Sequence, residues 1–418
     1  MAKSPEELGM EREQRVGDAI ALRLPDRVPV IPMFQFFPAF YAGITPYEAM
    51  YDYEKARMAW KKTILDFEPD LYCGPALFRS GPVLETLDCK QLRWPGHGVD
   101  PHFAYQFVEA EYMPAEEYDE FIENPSDWML RRYMPRIYGA LRPFQNLPGI
   151  LDQFYYYGAP SAGLATMGTP EVQEAFQALL KAARESFAWV SGLVSFVQEM
   201  KGFGFSPMFF VATYAPFDLI GDNFRGTRGM MLDMYRRPEK LLAALEKTSE
   251  LTIRMATRRA ATGGIRIVFI PLHKGAEGFM SADQFKTFYW PSLRKLILGI
   301  CDAGLIPYVY TEGGYTGWLE FLRDVPKGKV MYHFERVDMA RAKEILGDTA
   351  CIVGNVPNSL LISGSPDQVK DYCKKLIDTA GEGGGFMMDT AASIDEAKPE
   401  NIRAMMDFTK EYGVYRRS

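Results

Sequence analysis

Short apolar runs alternate with longer amphipathic segments along most of the chain, and this alternation is the feature that most constrains the fold. Each run is short enough for one buried strand, and the segment after it has helical spacing. Eight such runs occur: VPVIPMFQ (28–35), DLYCGPAL (70–77), PMFFVATYAPFDLI (207–220), IRIVFIPL (265–272), IPYVYTE (306–312), KVMYHF (329–334), ACIVGNV (350–356) and GGFMMDT (384–390). The later runs are nearly all apolar rather than alternating with polar residues, which is typical of strands buried on both faces of a parallel sheet.

Eight strand and helix units in succession predict an α/β chain that folds as a (β/α)8 TIM barrel, with a helical extension before the first strand. We expect residues 1–418 to form this one domain. The count of units does not exclude an open doubly wound sheet. Helix starts carry capping residues, since Ser281 is followed by Gln284 and Ser365 is followed by a proline.

Residues 78–206 interrupt the alternation between the second and third runs. They begin with a stretch that reads as a strand pair, hold a tyrosine-rich cluster at 154–160, and continue as a long helix pattern that opens at Thr169. Because strand and helix units resume afterwards, we interpret this segment as a large insertion between strands 2 and 3. Its histidines, His97 and His102, lie in a stretch typical of a loop.

The composition excludes several classes of protein. The net charge is −7 and there is no long run of Lys or Arg, so we expect no binding to nucleic acid. No apolar run approaches the roughly 18 residues of a membrane span. The charged N-terminus lacks the apolar core of a signal peptide, so a cytoplasmic protein is expected. The five cysteines are scattered and odd in number, which favours reduced, buried thiols over disulfides.

Glu312 is unusual because it is a carboxylate at the end of an apolar run, directly before Gly313 and Gly314. A glycine pair lets the backbone turn sharply there, and the carboxyl ends of barrel strands carry the active site. We therefore expect Glu312 to point into the mouth of the barrel. Other polar residues at or just beyond the strand ends are candidates for the same site: Gln35, Tyr214, Asn223, His273, Tyr310, His333, Asn355 and Asp389.

A metal site is one interpretation of this set. His273 and His333 follow the strands on either side of Glu312. A His/Glu/His set is suited to a divalent metal, with zinc the first candidate. In the other interpretation Glu312 pairs with a nearby Lys or Arg, and each histidine is an ordinary hydrogen-bonded residue of the pocket. The spacing alone does not separate the two.

The order of several segments resembles the uroporphyrinogen decarboxylase superfamily, which also contains cobalamin-dependent methyltransferases. The resemblance covers nearly the whole chain and lies in five segments: REQRVGDAIALRLPDRVPVIP, YAPFDLIGDNFRG, MSADQFKTFYWPSLRKLI, CIVGNVPNSLLISGSPDQV and GGGFMMDTAASIDEAKPENIRAM. The family fold is a (β/α)8 barrel, which agrees with the number of strand-like runs.

Two departures from the family narrow the function that the resemblance implies. True decarboxylases carry an arginine-rich RQAGRY-type motif after the first strand to hold the propionates of a tetrapyrrole, but this chain has IPMFQFFPAF there. The thiol-methylating relatives bind zinc through His-x-Cys after the fifth strand and a cysteine after the eighth. The matching residues here are Tyr310, Glu312 and about Ala391, and no cysteine ligand is present.

The resemblance therefore implies a third branch, a methyltransferase that takes a methyl group from a methylated small molecule. It would pass the methyl to the Co(I) corrinoid (cobalamin) of a separate partner protein. An aryl methyl ether is the expected donor, and a quaternary amine is a close variant. Glu312, His273 and His333 would be catalytic and would hold Zn2+. The residues expected to orient the substrate are Tyr310, Tyr214, Asn223, Asn355, Asp389 and Gln35.

Two alternatives remain at this point. One is a decarboxylase or other lyase that acts on a non-porphyrin substrate. The other is a protein without catalytic activity that binds a corrinoid or another tetrapyrrole in the barrel. Family members are often dimers, so a homodimer is a further expectation.

Overall fold

The computed structural model describes residues 3–149, 160–208, 211–263 and 266–415. Its strands are β1 (Leu71–Tyr72), β2 (Leu92–Pro95), β3 (Gly98–Val99), β4 (Gln106–Phe107), β5 (Ser206–Pro207), β6 (Val211–Ala212), β7 (Ile267–Leu272), β8 (Ile306–Gly314), β9 (Met331–Arg336), β10 (Cys351–Val353) and β11 (Phe386–Met387). Parallel pairing dominates, and six of the strands form one sheet in the order β11-β10-β9-β8-β7-β6. The prediction of an α/β chain with a parallel sheet is confirmed.

The helices lie mainly between these strands. Their bounds are α1 (Pro5–Ile20), α2 (Phe37–Tyr41), α3 (Pro46–Tyr51), α4 (Tyr53–Phe67), α5 (Gly81–Thr86), α6 (Tyr118–Glu123), α7 (Pro125–Trp128), α8 (Met134–Ile137), α9 (Pro160–Ala165), α10 (Pro170–Lys201), α11 (Pro216–Ile220), α12 (Gly226–Arg236), α13 (Pro238–Gly263), α14 (Ala282–Gln284), α15 (Trp290–Asp302), α16 (Leu319–Leu322), α17 (Met339–Leu346), α18 (Asn358–Ser363), α19 (Pro366–Leu376) and α20 (Pro399–Tyr412). The capping boxes at Ser281 and Ser365 are both present, with Gln284 and Gln368 as their third helical residues.

Backbone contacts extend the strand order beyond the six-stranded sheet. Strand β1 pairs in parallel with β5, which precedes β6 in the same chain segment. The backbone N–H of Asp70 donates to the carbonyl of Val30 at 2.9 Å, and Val30 forms a parallel bridge with Met388, next to β11. These contacts join the first segment to the second and to the eighth, in addition to the pairs of the six-stranded sheet.

A buried acid ties the N-terminal helix to these strand segments. The Asp70 side chain has no exposed surface, and it accepts hydrogen bonds from Arg15 of α1 at 2.6 Å and from Arg27 at 2.8 Å. It also accepts from the backbone N–H of Val30 at 2.8 Å. A buried carboxylate is tolerated when it is paired and hydrogen-bonded in this way. This contact therefore fixes the start of the first strand segment against the second.

The segment 78–206 contains a small sheet, in the order β3-β2-β4, and the helices α5 to α10. Its longest helix, α10, begins at Pro170 after Thr169, as the sequence predicts. The segment has a second apolar core, which includes Leu141, Phe144 and Val172, beside the main core of the strands. The tyrosine-rich cluster lies outside the described residues, except for Pro160. The assignment of the whole chain to one domain stays a prediction.

Two further expectations concern cysteines and membranes. All five cysteines are buried and none is in a disulfide, as predicted. Within the part of the chain that the structure describes, no helix combines the length and apolar character needed to cross a bilayer.

Candidate active site

His273, the first residue after β7, is the centre of a cluster of charged side chains. Its Nδ1 lies 2.5 Å from Oδ2 of Asp222, and its Nε2 lies 3.7 Å from Oε1 of Glu312 at the end of β8. Asp222 belongs to the π-helical turn Gly221–Arg225 that follows α11. Because neighbouring parallel strands end at the same edge of a sheet, β7 and β8 bring His273 and Glu312 together there. The structure thus brings together two of the three residues that the sequence places in one site.

The charges around His273 favour its protonated form. Burial lowers the pKa of the imidazole, but the hydrogen bond to Asp222 and the charges of Asp218, Asp222 and Glu312 outweigh burial and raise the pKa to about 9. The ring is therefore an imidazolium at neutral pH. Its Nδ1–H donates to Asp222, and Nε2–H points toward Glu312 at a distance too long for a good hydrogen bond. The Nε2–H proton is thus available to an incoming acceptor.

Glu312 occupies the opening of the cluster. Its side chain is 49% exposed, and the protein atoms around it displace part of its water. This desolvation raises the pKa of the carboxyl group, His273 lowers it, and the charges of Glu335 and Asp222 add to the rise. A carboxyl group with a raised pKa beside a partly exposed imidazolium is typical of sites that move protons.

The glycine after Glu312 allows the strand to pass close to a neighbouring loop. Gly313 has a φ of +88°, and a Cβ placed on it would lie 2.7 Å from the Cβ of Ala276. Its N–H donates to Oε2 of Glu335 at 2.5 Å. The glycine is therefore needed both for its left-handed backbone and for the close approach. This geometry explains why a carboxylate at a strand end is followed by glycine.

Asp218 forms the buried floor of the cluster. It accepts hydrogen bonds from the backbone N–H groups of His273 at 3.0 Å and Lys274 at 2.9 Å, and from the Tyr289 hydroxyl at 2.7 Å. Burial, followed by the charge of Asp222, raises its pKa to about 6. Asp218 and Asp222 are four residues apart, a spacing that places two side chains on one helical face. That spacing was the signal in the sequence, but neither residue was assigned a role from it.

Lys274 connects the cluster to the segment 78–206. Its Nζ lies 2.9 Å from Oε2 of Glu109, 3.0 Å from Oδ1 of Asp222 and 2.8 Å from the hydroxyl of Thr227. The ammonium group is buried, and its three donors have three oxygen partners. Asp222 is thereby held between a lysine and a histidine.

His333 does not join this cluster, which corrects the sequence prediction for it. The side chain has no exposed surface, its Nε2 lies 2.7 Å from the carbonyl oxygen of Thr390, and its ring stacks on Tyr310 with centroids 3.9 Å apart. Burial lowers its pKa to about 3. A neutral imidazole then donates its Nε2–H to the Thr390 carbonyl. His333 is therefore not a proton donor to a substrate beside Glu312.

The predicted zinc ligands Glu312, His273 and His333 do not fit a metal site as they lie. Across residues 3–149, 160–208, 211–263 and 266–415, no group of three His, Cys, Asp or Glu side chains is placed to hold a metal ion. The two nitrogens of His273 face carboxylates, so both carry protons rather than lone pairs. A metal ligand needs an unprotonated nitrogen.

The residues predicted to orient the substrate divide into two groups. Tyr214 and Tyr310 lie beside the cluster, and the buried Tyr310 hydroxyl has no hydrogen-bond partner among the described residues. The other four are engaged within the protein: Gln35 accepts from Ser393, Asn223 donates to the Leu219 carbonyl, Asn355 donates to the Glu335 carbonyl, and Asp389 accepts from Met33 and Tyr308. For Asp389, which has no exposed surface, these bonds indicate a structural role that joins the first strand segment to the eighth.

A comparison with protein families identifies a match to the family described as uroporphyrinogen decarboxylase (URO-D), over residues 177–412. The uroporphyrinogen decarboxylase of Aromatoleum aromaticum is 23% identical over 248 residues, which cover 58% of this chain and 66% of that protein. The uroporphyrinogen decarboxylase of Syntrophotalea carbinolica is 25% identical over 207 residues, which cover 49% of this chain and 57% of that protein. The matched part thus spans less than two thirds of either relative.

Among solved structures, a methyltransferase from Methanosarcina mazei is similar to this chain. The TM-score is 0.61 and the sequence identity is 15%, with 96% of this chain and 98% of that chain covered. At this identity the likeness shows a shared fold.

Proposed function

From the premise that the chain belongs to the uroporphyrinogen decarboxylase family, we propose that it is a methyltransferase acting on an aryl methyl ether. It passes the methyl group to the Co(I) corrinoid of a partner protein. We propose equally that the strands form a closed (β/α)8 barrel, with the cluster at the carboxyl ends of its strands. The observation that carries the proposal is the imidazolium of His273 between Asp222 and Glu312.

His273 is suited to protonate a leaving oxygen. When the bond between methyl carbon and ether oxygen breaks, its electron pair stays on the oxygen, which takes the proton from Nε2. The corrinoid, when present, supplies the electron pair that accepts the methyl group. A phenolate has a basicity near that of a tyrosinate, with a pKa of about 10, which is close to that of the His273 imidazolium. Acid and leaving group are therefore well matched.

Asp222 and Glu312 have different parts in this chemistry. Asp222 keeps the Nδ1 proton in place, so that the proton delivered to the substrate comes from Nε2. Glu312 faces Nε2 and is half exposed, so it can return a proton from solvent to the neutral imidazole after each transfer. Asp222 thus positions the imidazole, and Glu312 supplies protons to it.

The same geometry favours an ether over a quaternary amine. A departing amine leaves as a neutral molecule and needs no acid, whereas a departing phenolate benefits from one.

The alternative of a decarboxylase is favoured by one observation, the names of the curated relatives. Against a tetrapyrrole substrate stands the segment after the first strand, where Phe36 and Phe37 are buried and no arginine is present. A substrate with several carboxylates would find no arginine to bind it in this segment. A lyase acting on a smaller substrate would form product without any corrinoid.

The test is transfer of methyl groups to cob(I)alamin by the purified chain, followed through the cobalt absorption spectrum. Donors are anisole, methoxybenzoates and tetramethylammonium. We expect transfer from an aryl ether, and a loss of about 100-fold or more in His273→Gln, the usual size of acid catalysis. His102→Gln is the matched control, because His102 is exposed and bonded to Asp100 in the segment 78–206. Unchanged turnover in His273→Gln, or product formation without corrinoid, would refute the proposal.

A further inference from the structure

Arg79 is an arginine with an unusual backbone and, within the described part of the chain, no acidic partner. It follows the turn Pro75–Phe78 after β1, with φ of 61° and ψ of 152°. Residues other than glycine rarely adopt a positive φ, and such outliers cluster at ligand-binding sites. No sequence pattern pointed to this residue.

The guanidinium of Arg79 lies against an aromatic ring rather than a carboxylate. Its central carbon is 4.8 Å from the ring centroid of Tyr105, and the residue is exposed. Among the residues that the structure describes, it forms no ion pair. Arg225, which also lies near the site, is by contrast bonded to Glu111 and Asp233. The Arg79 charge is thus left available to a ligand.

Tyr214 connects Arg79 to the catalytic cluster. The Arg79 guanidinium acts to lower the pKa of Tyr214 and the Asp222 carboxylate acts to raise it, although burial is the largest influence and raises it. The strand pairing places the three residues at one edge of the sheet. Strand β1 pairs in parallel with β5, and β6 pairs in parallel with β7, so Arg79, Tyr214 and His273 all follow strands that end on the same side.

The rings beside Arg79 are held firmly. Tyr105 packs edge-on against Phe36 with centroids 5.7 Å apart, and Phe36 stacks on Phe78 at 5.1 Å. Phe36 and Phe78 are fully buried. The Phe36 ring therefore holds the partly exposed ring of Tyr105 in place, and Phe78 holds Phe36. A flat aromatic ligand that binds here contacts a rigid ring and the cation that lies over it.

We propose that Arg79 binds a carboxylate on the aromatic ring of the substrate, so that the methyl donor is an anionic aryl ether of the methoxybenzoate class. This inference rests on the proposed function. The planar guanidinium presents paired donors that match the two oxygens of a carboxylate.

The distribution of charge also fixes the direction in which such a substrate binds. Asp222, Asp218 and Glu312 surround His273, so the carboxylate end of the donor is repelled from that side. The methoxy end, which is neutral, then lies at His273 and the anionic end at Arg79. An uncharged anisole has no such preference.

Calorimetric titration of the full chain with hydroxybenzoates, the demethylated products, tests this without any corrinoid. We expect wild type to bind one hydroxybenzoate isomer at least about tenfold more tightly than the corresponding hydroxybenzamide, the size of a charge-assisted hydrogen bond. Arg79→Ala should lose that difference and Arg79→Lys should keep part of it. Arg254→Ala, an exposed arginine on α13, is the matched control and should bind as wild type.

The outcomes separate this inference from the proposed function. If Arg79→Ala binds hydroxybenzoate as wild type does, or if the benzamide binds equally well, the inference is overturned even when methyl transfer occurs. If hydroxybenzoate binding depends on Arg79 but no donor ever methylates cob(I)alamin, the anion site stands and the methyltransferase proposal fails. Circular dichroism of each variant excludes unfolding as the cause.

Discussion

Replacing Asp222 by asparagine should remove the main interaction that keeps the His273 imidazole protonated. The pKa of His273 is raised from 6.5 to about 9, and the hydrogen bond to Asp222 is the largest of the contributions that raise it. The difference between these two pKa values corresponds to about 3.4 kcal/mol in favour of the charged ring. Because the side chain is 33% exposed, solvent screening reduces this to about 2 kcal/mol.

The sign of the pH effect follows from the direction of the pKa change. Since the pKa of His273 is higher in the folded protein than in the unfolded chain, protonation stabilises the fold fully below about pH 6.5, and this contribution is lost as the pH rises toward 9. In Asp222→Asn the stability at pH 6 should fall, and as the pH rises the remaining contribution of His273 should be lost at a lower pH than in wild type. The alkaline limb of methyl transfer should shift down by about one pH unit or more.

Proton NMR of the imidazole ring is the direct assay, because the chain has only four histidines. The His273 signal is identified by its loss in His273→Gln, and its titration is followed in wild type and in Asp222→Asn. Glu109→Gln is the control, because it removes another carboxylate from Lys274 and leaves the His273 contact intact. If His273 titrates near 6.5 in wild type, or if its pKa is the same in Asp222→Asn, the assignment of an imidazolium acid is refuted.

Three further predictions concern stability and activity. Asp70→Asn should lower the free energy of unfolding by about 3–5 kcal/mol in urea denaturation, because it leaves the buried charges of Arg15 and Arg27 without their shared partner. Arg79→Gly should melt at or above the wild-type temperature in calorimetry, because glycine adopts a positive φ without strain, while binding of hydroxybenzoate is lost. Glu312→Gln should slow methyl transfer by about tenfold or more while leaving product binding unchanged, because its role is proton return.

Each of these predictions has a matched control. Asp18→Asn removes the acid of a surface pair with Arg23, which is 62% exposed, and should cost less than about 1 kcal/mol. A melting temperature of Arg79→Gly well below wild type would show that the backbone at this position is not strained. Wild-type rates in Glu312→Gln across the pH range would remove Glu312 from the mechanism.

The sequence alone was informative about the order of elements. Apolar runs of strand length followed by helical spacing marked most of the strands. The capping box at Ser281 and the N-cap at Ser365 were visible as local patterns. The exact ends of the strands do not follow from this pattern. The sixth run predicts a strand that ends at Phe334, but β9 continues to Arg336, which places His333 inside the strand. A histidine within a buried strand contacts its neighbours in the sheet, here Tyr310, and does not reach the edge where Glu312 lies.

What the sequence determined was the parallel α/β plan, the family, and the meeting of Glu312 with His273, because strand periodicity and the ends of adjacent strands are set by local order. Only the tertiary structure decided that His273 is held by Asp222 as a cation, that His333 bonds to the Thr390 carbonyl, and that Arg79 is left without an acid. These properties depend on contacts between residues about 50 or more positions apart and on how much water each group retains. Neither the long-range contacts nor the hydration of each group is encoded in the spacing of residues along the chain.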